Sequence, residues 1–284
     1  MDKAIVFYNP LAGRETSAEA LKKLENMISA ELTFCDMTNE EAYRQALSEA
    51  APETILILCG GDGTLNRFIN LTDGSNLPNP VLYYPCGSGN DFAHDLGKNY
   101  GDSPFSISEY LKDLPSVEVN GTTYRFLNGV GYGIDGYCCE VGDQLKKESD
   151  KPINYAGIAI KGLLFHYKPT AATITVDGNI HHYRKVWLAP TMNGRFYGGG
   201  MMPTPDQDRT HTNGQLSTMV FYGSGKLKTL AIFPGIFKGT HVNHTDVIEV
   251  LTGHDITVEF DRPTALQIDG ETILGVTRYH AIGS

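Results

Sequence analysis

The stretch Ile55-Leu56-Ile57-Leu58-Cys59-Gly60-Gly61-Asp62-Gly63-Thr64-Leu65-Asn66 decides the fold. Its first five residues are all apolar and read as a strand buried on both faces. The run stops at Gly-Gly-Asp-Gly-Thr, after which Leu65, Phe68 and Ile69 return at helical spacing. Glycines at a strand-to-helix turn let backbone N–H groups come close to a phosphate, and the following helix offers the anion its positive end. Asp62 is placed to orient a phosphate-bound cation or the reacting groups. The plain alternative is a glycine-rich turn with no ligand.

The same strand–loop–helix pattern lies on both sides. Upstream, Ile5 to Tyr8 is a short apolar run closed by the turn cluster Asn9-Pro10-Leu11-Ala12-Gly13. Thr16 with Glu19 reads as a capping box for a helix carrying Leu21, Leu24 and Ile28 on one face. Thr38 with Glu41 reads as a second, for a helix with Ala42, Ala46 and Ala50 on one stripe. Downstream, Val81 to Tyr84 is a strand ending in Pro85-Cys86-Gly87-Ser88-Gly89-Asn90-Asp91-Phe92. This repetition predicts a parallel sheet with helices on both faces, a Rossmann-like α/β domain over residues 1–120.

Beyond residue 120 the apolar period shortens to two, and Asn120-Gly121, Asp177-Gly178, Asn213-Gly214 and Asp269-Gly270 supply turns. Thr173 to Val176 and Tyr183 to Leu188 flank one of them as a hairpin, and Ile256 to Phe260 is a further strand. One helical stretch, Ile153 to Tyr167, interrupts the pattern. The expected second domain, residues 121–284, is β-rich and sandwich-like, with the last residues free to return to the first domain.

Two other phosphate motifs fail. Gly225-Lys226 lacks the upstream glycine and the Ser/Thr of a Walker A loop. Gly131-Tyr132-Gly133-Ile134-Asp135-Gly136 matches G-x-G-x-x-G in form, yet it lies in the β-rich half with no clear helix after it.

Composition narrows the partners. The 284 residues carry a formal net charge of −10, which argues against nucleic acid. Five cysteines, an odd number without CxxC spacing, fit a reducing, cytoplasmic setting. No apolar run reaches the ~18 residues of a membrane span.

Taken in order, FYNPLAG, CGGDGTLN, PCGSGNDFA, FLNGVGYGID, NGRFYGGGM and IDGE resemble the bacterial diacylglycerol kinase-like lipid kinases, more distantly sphingosine kinases and NAD kinases. The resemblance spans residues 5 to 271. It implies ATP and Mg²⁺ as cofactors and a nucleotide cleft between the two domains. The cleft would be lined by Asn9, Pro10, Gly13, Thr38, Gly60, Gly61, Asp62, Gly63, Thr64, Asn66, Ser88 and Asn90. It implies Glu271 as the catalytic base beside a catalytic role for Asp62. It also implies a structural Mg²⁺ site reached by Thr210, Asn213 and Gln215, and a structural or Mg²⁺-related role for Asp135.

Two residues depart from the family pattern. Arg67 stands where the family has Glu, and Asn213 where it has Asp. Losing that carboxylate weakens a site for a hard cation. The expected partner is a lipid, diacylglycerol first, met transiently at the membrane surface, with a homodimer as the expected assembly. An NAD kinase and a nucleotide-binding regulator that has lost catalysis are the alternatives; Gly87-Ser88-Gly89-Asn90-Asp91 argues against the first. The stretch 153–167 reads as a helix with a buried face; facing a bilayer or an acyl chain is its alternative. His181-His182 and the pair His241, His244 read as surface or core histidines.

Overall fold

The computed structural model describes residues 3–10, 17–72, 77–148, 155–210 and 213–284. Gly13 and the Thr16 cap lie outside them, as do the first residues of the stretch expected to be helical from Ile153. The chain divides into two compact units, Met1–Leu114 and Pro115–Ser284.

In the first unit, β1 (Lys3–Tyr8), β2 (Glu31–Asp36), β3 (Ile55–Gly60) and β4 (Val81–Pro85) pair in parallel in the order β2-β1-β3-β4. The short β5 (Phe105–Ser106) closes the edge antiparallel. On one face, Val6, Ile57 and Tyr84 pack against Ala20 and Leu24 of α1 (Ser17–Glu25). On the other, Phe7 meets Tyr43 of α2 (Glu40–Glu49) and Phe68 of α3 (Asp62–Thr72), ring centroids 5.0 and 6.3 Å away. Apolar side chains on both faces of the central strands explain the unbroken apolar run of β3. The strand order reverses between β1 and β3. Ligands of such sheets bind outside the carboxyl ends at that reversal, where Asn9-Pro10 and Gly60-Gly61 emerge.

α2 departs from expectation at its start and on its buried face. Asp36 Oδ1 accepts from both the amide (2.8 Å) and the hydroxyl (2.7 Å) of Thr38, so Thr38 is held in the preceding turn and does not cap. The cap is Asn39, whose Oδ1 accepts from Ala42 N at 3.1 Å. Tyr43 is the residue α2 buries, not the alanine stripe.

The second unit is a ten-stranded sheet whose pairings are antiparallel. Three of the expected turns join neighbours: Asn120-Gly121 between β6 (Ser116–Val119) and β7 (Thr122–Arg125), Asp177-Gly178 between β9 (Thr170–Val176) and β10 (Asn179–Val186), and Asp269-Gly270 between β14 (Asp255–Ile268) and β15 (Glu271–Ile282). All six turn residues have positive φ, as two-residue hairpins that match strand twist require. β8 (Gly129–Tyr132), β11 (Thr191–Met192), β12 (Leu216–Phe221) and β13 (Ile248–Gly253) complete the sheet. Along β12, Leu216 and Val220 enter one core, and Met219 and Phe221 enter another. The second core is roofed by α5 (Ile134–Glu148), α6 (Tyr155–Lys161), a π-helical turn (Gly162–His166) and α7 (Lys226–Ile232).

α5 corrects the reading of the glycine run at 131–136, which does precede a helix. Those glycines serve packing. A side chain at Gly136 would strike the backbone of Ala265, and Gly133, at φ +119, lies against the backbone of Trp187.

The cap assignment is testable. Asn39→Ala is expected to lower unfolding free energy by ~1 kcal/mol in urea titrations, the usual value of a lost N-cap. Thr38→Ala, which removes a hydroxyl from an exposed turn, is expected to change it less. The reverse order would return the cap to Thr38.

Candidate functional site

The two glycine loops of the first unit are built as one piece. A β-carbon on Gly61 would lie 3.0 Å from Gly87 Cα, and one on Gly87 would strike the Gly61 backbone. Gly60 O accepts from the amides of Cys86 (2.9 Å) and Gly87 (3.0 Å) and from the Tyr83 hydroxyl (3.1 Å). Asn90 braces the second loop from inside. Its Oδ1 accepts from Gly87 N (2.9 Å), its Nδ2 donates to Gly87 O (2.8 Å), and its backbone is left-handed at φ 57. The amide of Asn90, 5% exposed, therefore works within the loop.

Asp62 joins the loops. Its Oδ2 accepts from Asp91 N and its Oδ1 from Phe92 N, each at 2.9 Å, at the first residues of α4 (Asp91–Asp95). A carboxylate on these amides satisfies donors that the helix itself cannot.

The other expected nucleotide contacts follow β1, β2 and β4 or lie in the first turns of α3. Ser88, Thr38 and Pro10 are exposed, and Asn9 is half-buried after β1. Thr64 is buried, and its hydroxyl has no hydrogen-bond partner. Asn66 is buried too and takes an amide proton of Asn70 on its carbonyl at 2.9 Å. Arg67 is half-buried, its Nε without a partner. Below the loops, Cys59 Sγ and Cys86 Sγ are 3.3 Å apart. That hydrogen bond, then burial, pushes the Cys59 thiol up, and none of the five cysteines is in a disulfide.

In the second unit the Asp269-Gly270 turn presents Glu271, which is exposed. Asp269 beside it is buried. Its carboxylate accepts from three consecutive amides, Leu127 (2.7 Å), Asn128 (2.8 Å) and Gly129 (3.0 Å). Arg209 holds the same segment through Leu127 O (3.0 Å) and Asn128 Oδ1 (3.1 Å), and Asn193 Nδ2 donates to Leu127 O (2.9 Å). After the turn, the Thr272 hydroxyl donates to Asp143 of α5 at 2.7 Å. The sequence places Asp269 in a turn and Asn128 and Asn193 inside motifs, but assigns none of them, nor Arg209, a role at the site. A signal was there in an Asp directly before the Gly-Glu of a two-residue turn.

Asp135, in the first turn of α5, is 6% exposed. Burial pushes its carboxyl up to about 6, and both carboxylate oxygens, like the neighbouring Tyr197 hydroxyl, are buried without a hydrogen-bond partner. A side chain on Gly131 would strike both the Asp135 carboxylate and the Gln267 amide.

The residues expected around a structural Mg²⁺ make these contacts. The carbonyl of Gln215 accepts from Gln207 Nε2 at 2.9 Å. The amide and hydroxyl of Thr210 both donate to Asp208 Oδ1, at 2.9 and 2.6 Å. Asn213 is an exposed, neutral turn residue at φ 50. Among the described residues no group of three acidic, His or Cys side chains could hold a metal.

Two measurements test these roles. Asp269→Ala leaves three buried amides without an acceptor and is expected to cost ~3 kcal/mol or more in denaturation; a cost below 1 kcal/mol would exclude the anchor. Asp135 has its folded pKa raised above the ordinary carboxylate value of 3.8. The folded protein therefore keeps a proton that the unfolded chain has lost. Its contribution to stability is greatest below about pH 4 and falls as pH rises to about 6, by ~3 kcal/mol in all. Asp135→Asn is expected to flatten that part of the stability–pH curve, and an unaltered slope would remove Asp135 as its source.

Residues 3–116 match the family model described as diacylglycerol kinase catalytic domain. Residues 128–280 match the YegS C-terminal NAD kinase beta sandwich-like domain. A diacylglycerol kinase of Mycobacterium tuberculosis is 25% identical over 274 residues, 92% of this chain and 85% of that protein. A crystal structure of a diacylglycerol kinase from Bacillus anthracis superposes with a TM-score of 0.61 at 19% identity, covering 99% of this chain and 94% of that one; at that identity it shows the fold. Both halves of the chain, each matched to its own domain model, make it a member of the diacylglycerol kinase-like lipid kinase family.

Proposed function

We propose that this kinase transfers the γ-phosphate of ATP to the hydroxyl of a lipid, diacylglycerol first among candidates. The observation that carries the reading is the close approach of Gly61 and Gly87 at the carboxyl ends of β3 and β4. It leaves main chain, without side chains, where a polyphosphate would lie. The unpartnered Thr64 hydroxyl and the exposed Ser88 are further polar groups on these loops. Asp62 serves as the strut that keeps the loops in register. The nucleotide would bring its own Mg²⁺, which neutralises the phosphate oxygens.

In this mechanism the lipid hydroxyl oxygen bonds to the γ-phosphorus as the bond to the ADP oxygen breaks. Glu271 takes the hydroxyl proton. Such transfer depends on positioning and charge stabilisation, with the base acting on the acceptor. The Asp269 anchor fits this role, since it fixes the turn while leaving Glu271 exposed. The enzyme would work in the cytoplasm and meet its substrate transiently at the membrane surface.

A second reading is a nucleotide-binding protein without turnover. It is favoured by Arg67, with its unpartnered Nε, and by the neutral Asn213.

Glu271→Gln decides between them. A radiolabelled ATP assay with dispersed diacylglycerol is expected to show kcat down ~10²- to 10⁴-fold, with ATP affinity by calorimetry nearly unchanged. Wild-type turnover of zero on every lipid tested, with ATP still bound, would instead establish the second reading.

A further inference from the structure

Two thiols lie directly under the glycine loops. Cys59 is the penultimate residue of β3, and Cys86 follows β4. Cys59 is in register with Tyr84 and Gly60 with Pro85, so Cys86 is the first residue beyond the ladder. Alternate residues of a strand share a face, and Cys59, Tyr84 and Cys86 all enter the core that α1 covers. The sulfurs meet there, Sγ to Sγ 3.3 Å, with Cys59 4% and Cys86 7% exposed. A thiol is a weak donor and a weak acceptor, and burial alone asks only for a small apolar residue at each place. The other three cysteines lie elsewhere, Cys35 in β2 and Cys138 and Cys139 in α5.

A disulfide needs little more than this geometry. Its S–S bond is about 2.05 Å long, so sulfurs 3.3 Å apart have roughly 1.2–1.3 Å left to close. The main chain above them is already in contact. The amides of Cys86 and Gly87 both donate to Gly60 O, at 2.9 and 3.0 Å, and a β-carbon on Gly87 would strike the Gly61 backbone. Drawing Cys86 toward Cys59 therefore presses Gly87 on Gly61 and strains the shared bonds to Gly60 O. Asn90 carries the displacement further, because its Oδ1 and Nδ2 are both bonded to Gly87.

We propose that Cys59 and Cys86 are a modification site that hydrogen peroxide closes to a disulfide, and that the closed form distorts the Gly60-Gly61 and Gly87-Ser88 loops. The chemistry balances in two steps. Cys86, the more exposed of the two and next but one to exposed Ser88, attacks a peroxide oxygen as its thiolate. An S–O bond forms, the O–O bond breaks, and the hydroxide released takes up the proton that Cys86 gave to solvent. Cys59 then attacks the sulfenic sulfur. The S–S bond forms, the S–O bond breaks, and the departing hydroxide leaves as water with the Cys59 proton. The thiol pair loses two electrons, and the peroxide is reduced to water. Cys59 keeps its proton until that second step, because its hydrogen bond to Cys86 and then burial push its thiol up. Buried thiols react slowly, so the site answers to sustained peroxide, and a neutral oxidant of about the size of water reaches it where a bulky one does not. Small thiols reverse the reaction by exchange.

The consequence for ATP rests on the kinase reading, whereas the disulfide and the loop distortion do not, and the test separates them. The intact protein is treated with hydrogen peroxide, freed of it, and mapped by mass spectrometry without reduction. The expected product is a Cys59–Cys86 cross-linked peptide, lighter by two hydrogens and lost on adding dithiothreitol. Amide hydrogen exchange across residues 84–92 is expected to speed up on oxidation. ATP affinity by calorimetry is expected to fall roughly 10-fold or more, as when one or two main-chain hydrogen bonds are displaced. Both changes are expected to recover in dithiothreitol. Cys59→Ala/Cys86→Ala, which keeps small apolar groups in the core, is expected to bind ATP as the reduced protein does and to ignore peroxide. Cys35→Ala is expected to respond as the wild type does. Unlinked Cys59 and Cys86 after treatment overturn the site. So does a cross-link that leaves exchange unaltered, or a peroxide response that the double variant retains. If the reduced protein binds no ATP while the cross-link and the exchange change appear as described, the site stands and the nucleotide reading alone fails.

Discussion

Gly61 and Gly87 lie so close that Gly87 has no room for a β-carbon and Gly61 hardly any. The architecture of the first unit depends on this contact. Two parallel strands, β3 and β4, end side by side, and each must turn into a helix at the same edge of the sheet. With side chains at these positions the turns would be pushed apart. With glycine they share Gly60 O as acceptor, Tyr83 ties the second strand to the first turn, and Asn90 braces the second turn from inside. The backbone freedom that makes glycine costly in the unfolded chain is offset here by a contact no other residue allows.

The carboxylates divide by role along the same physical line. Asp62 and Asp269 each lie next to glycine in a motif, and each has both oxygens on backbone amides. A carboxylate so placed is an anchor, since moving it strands several buried donors. Asp62 fixes a helix start to a phosphate-type loop. Asp269 fixes a hairpin turn to the start of β8. Glu271, two residues along, carries no such burial and stays exposed. One turn therefore holds a rigid acid and an exposed one, an arrangement suited to presenting a base.

Much of the fold was legible because it is written in local pattern. Buried parallel strands are short apolar runs, the second unit alternates with period two, and Asn-Gly and Asp-Gly pairs predicted three hairpin turns that the structure contains. The failures are instructive. Thr38 and Asn39 are both good cap residues, and the choice fell to Asn39 because Asp36 engages Thr38. α5 was missed since Gly136, Cys138, Cys139 and Gly142 blur its apolar spacing.

By itself the sequence determined which segments become strands, helices and turns, and where glycine must stand, because those choices depend on neighbours a few residues away. Only the tertiary structure decided what each polar group does. The amide partners of Asp62 lie 29 and 30 residues along the chain, and those of Asp269 lie 140 to 142 residues back. A carboxylate's role is set by which donors reach it, and at such separations the folded backbone, not the local spacing, brings them within hydrogen-bond distance.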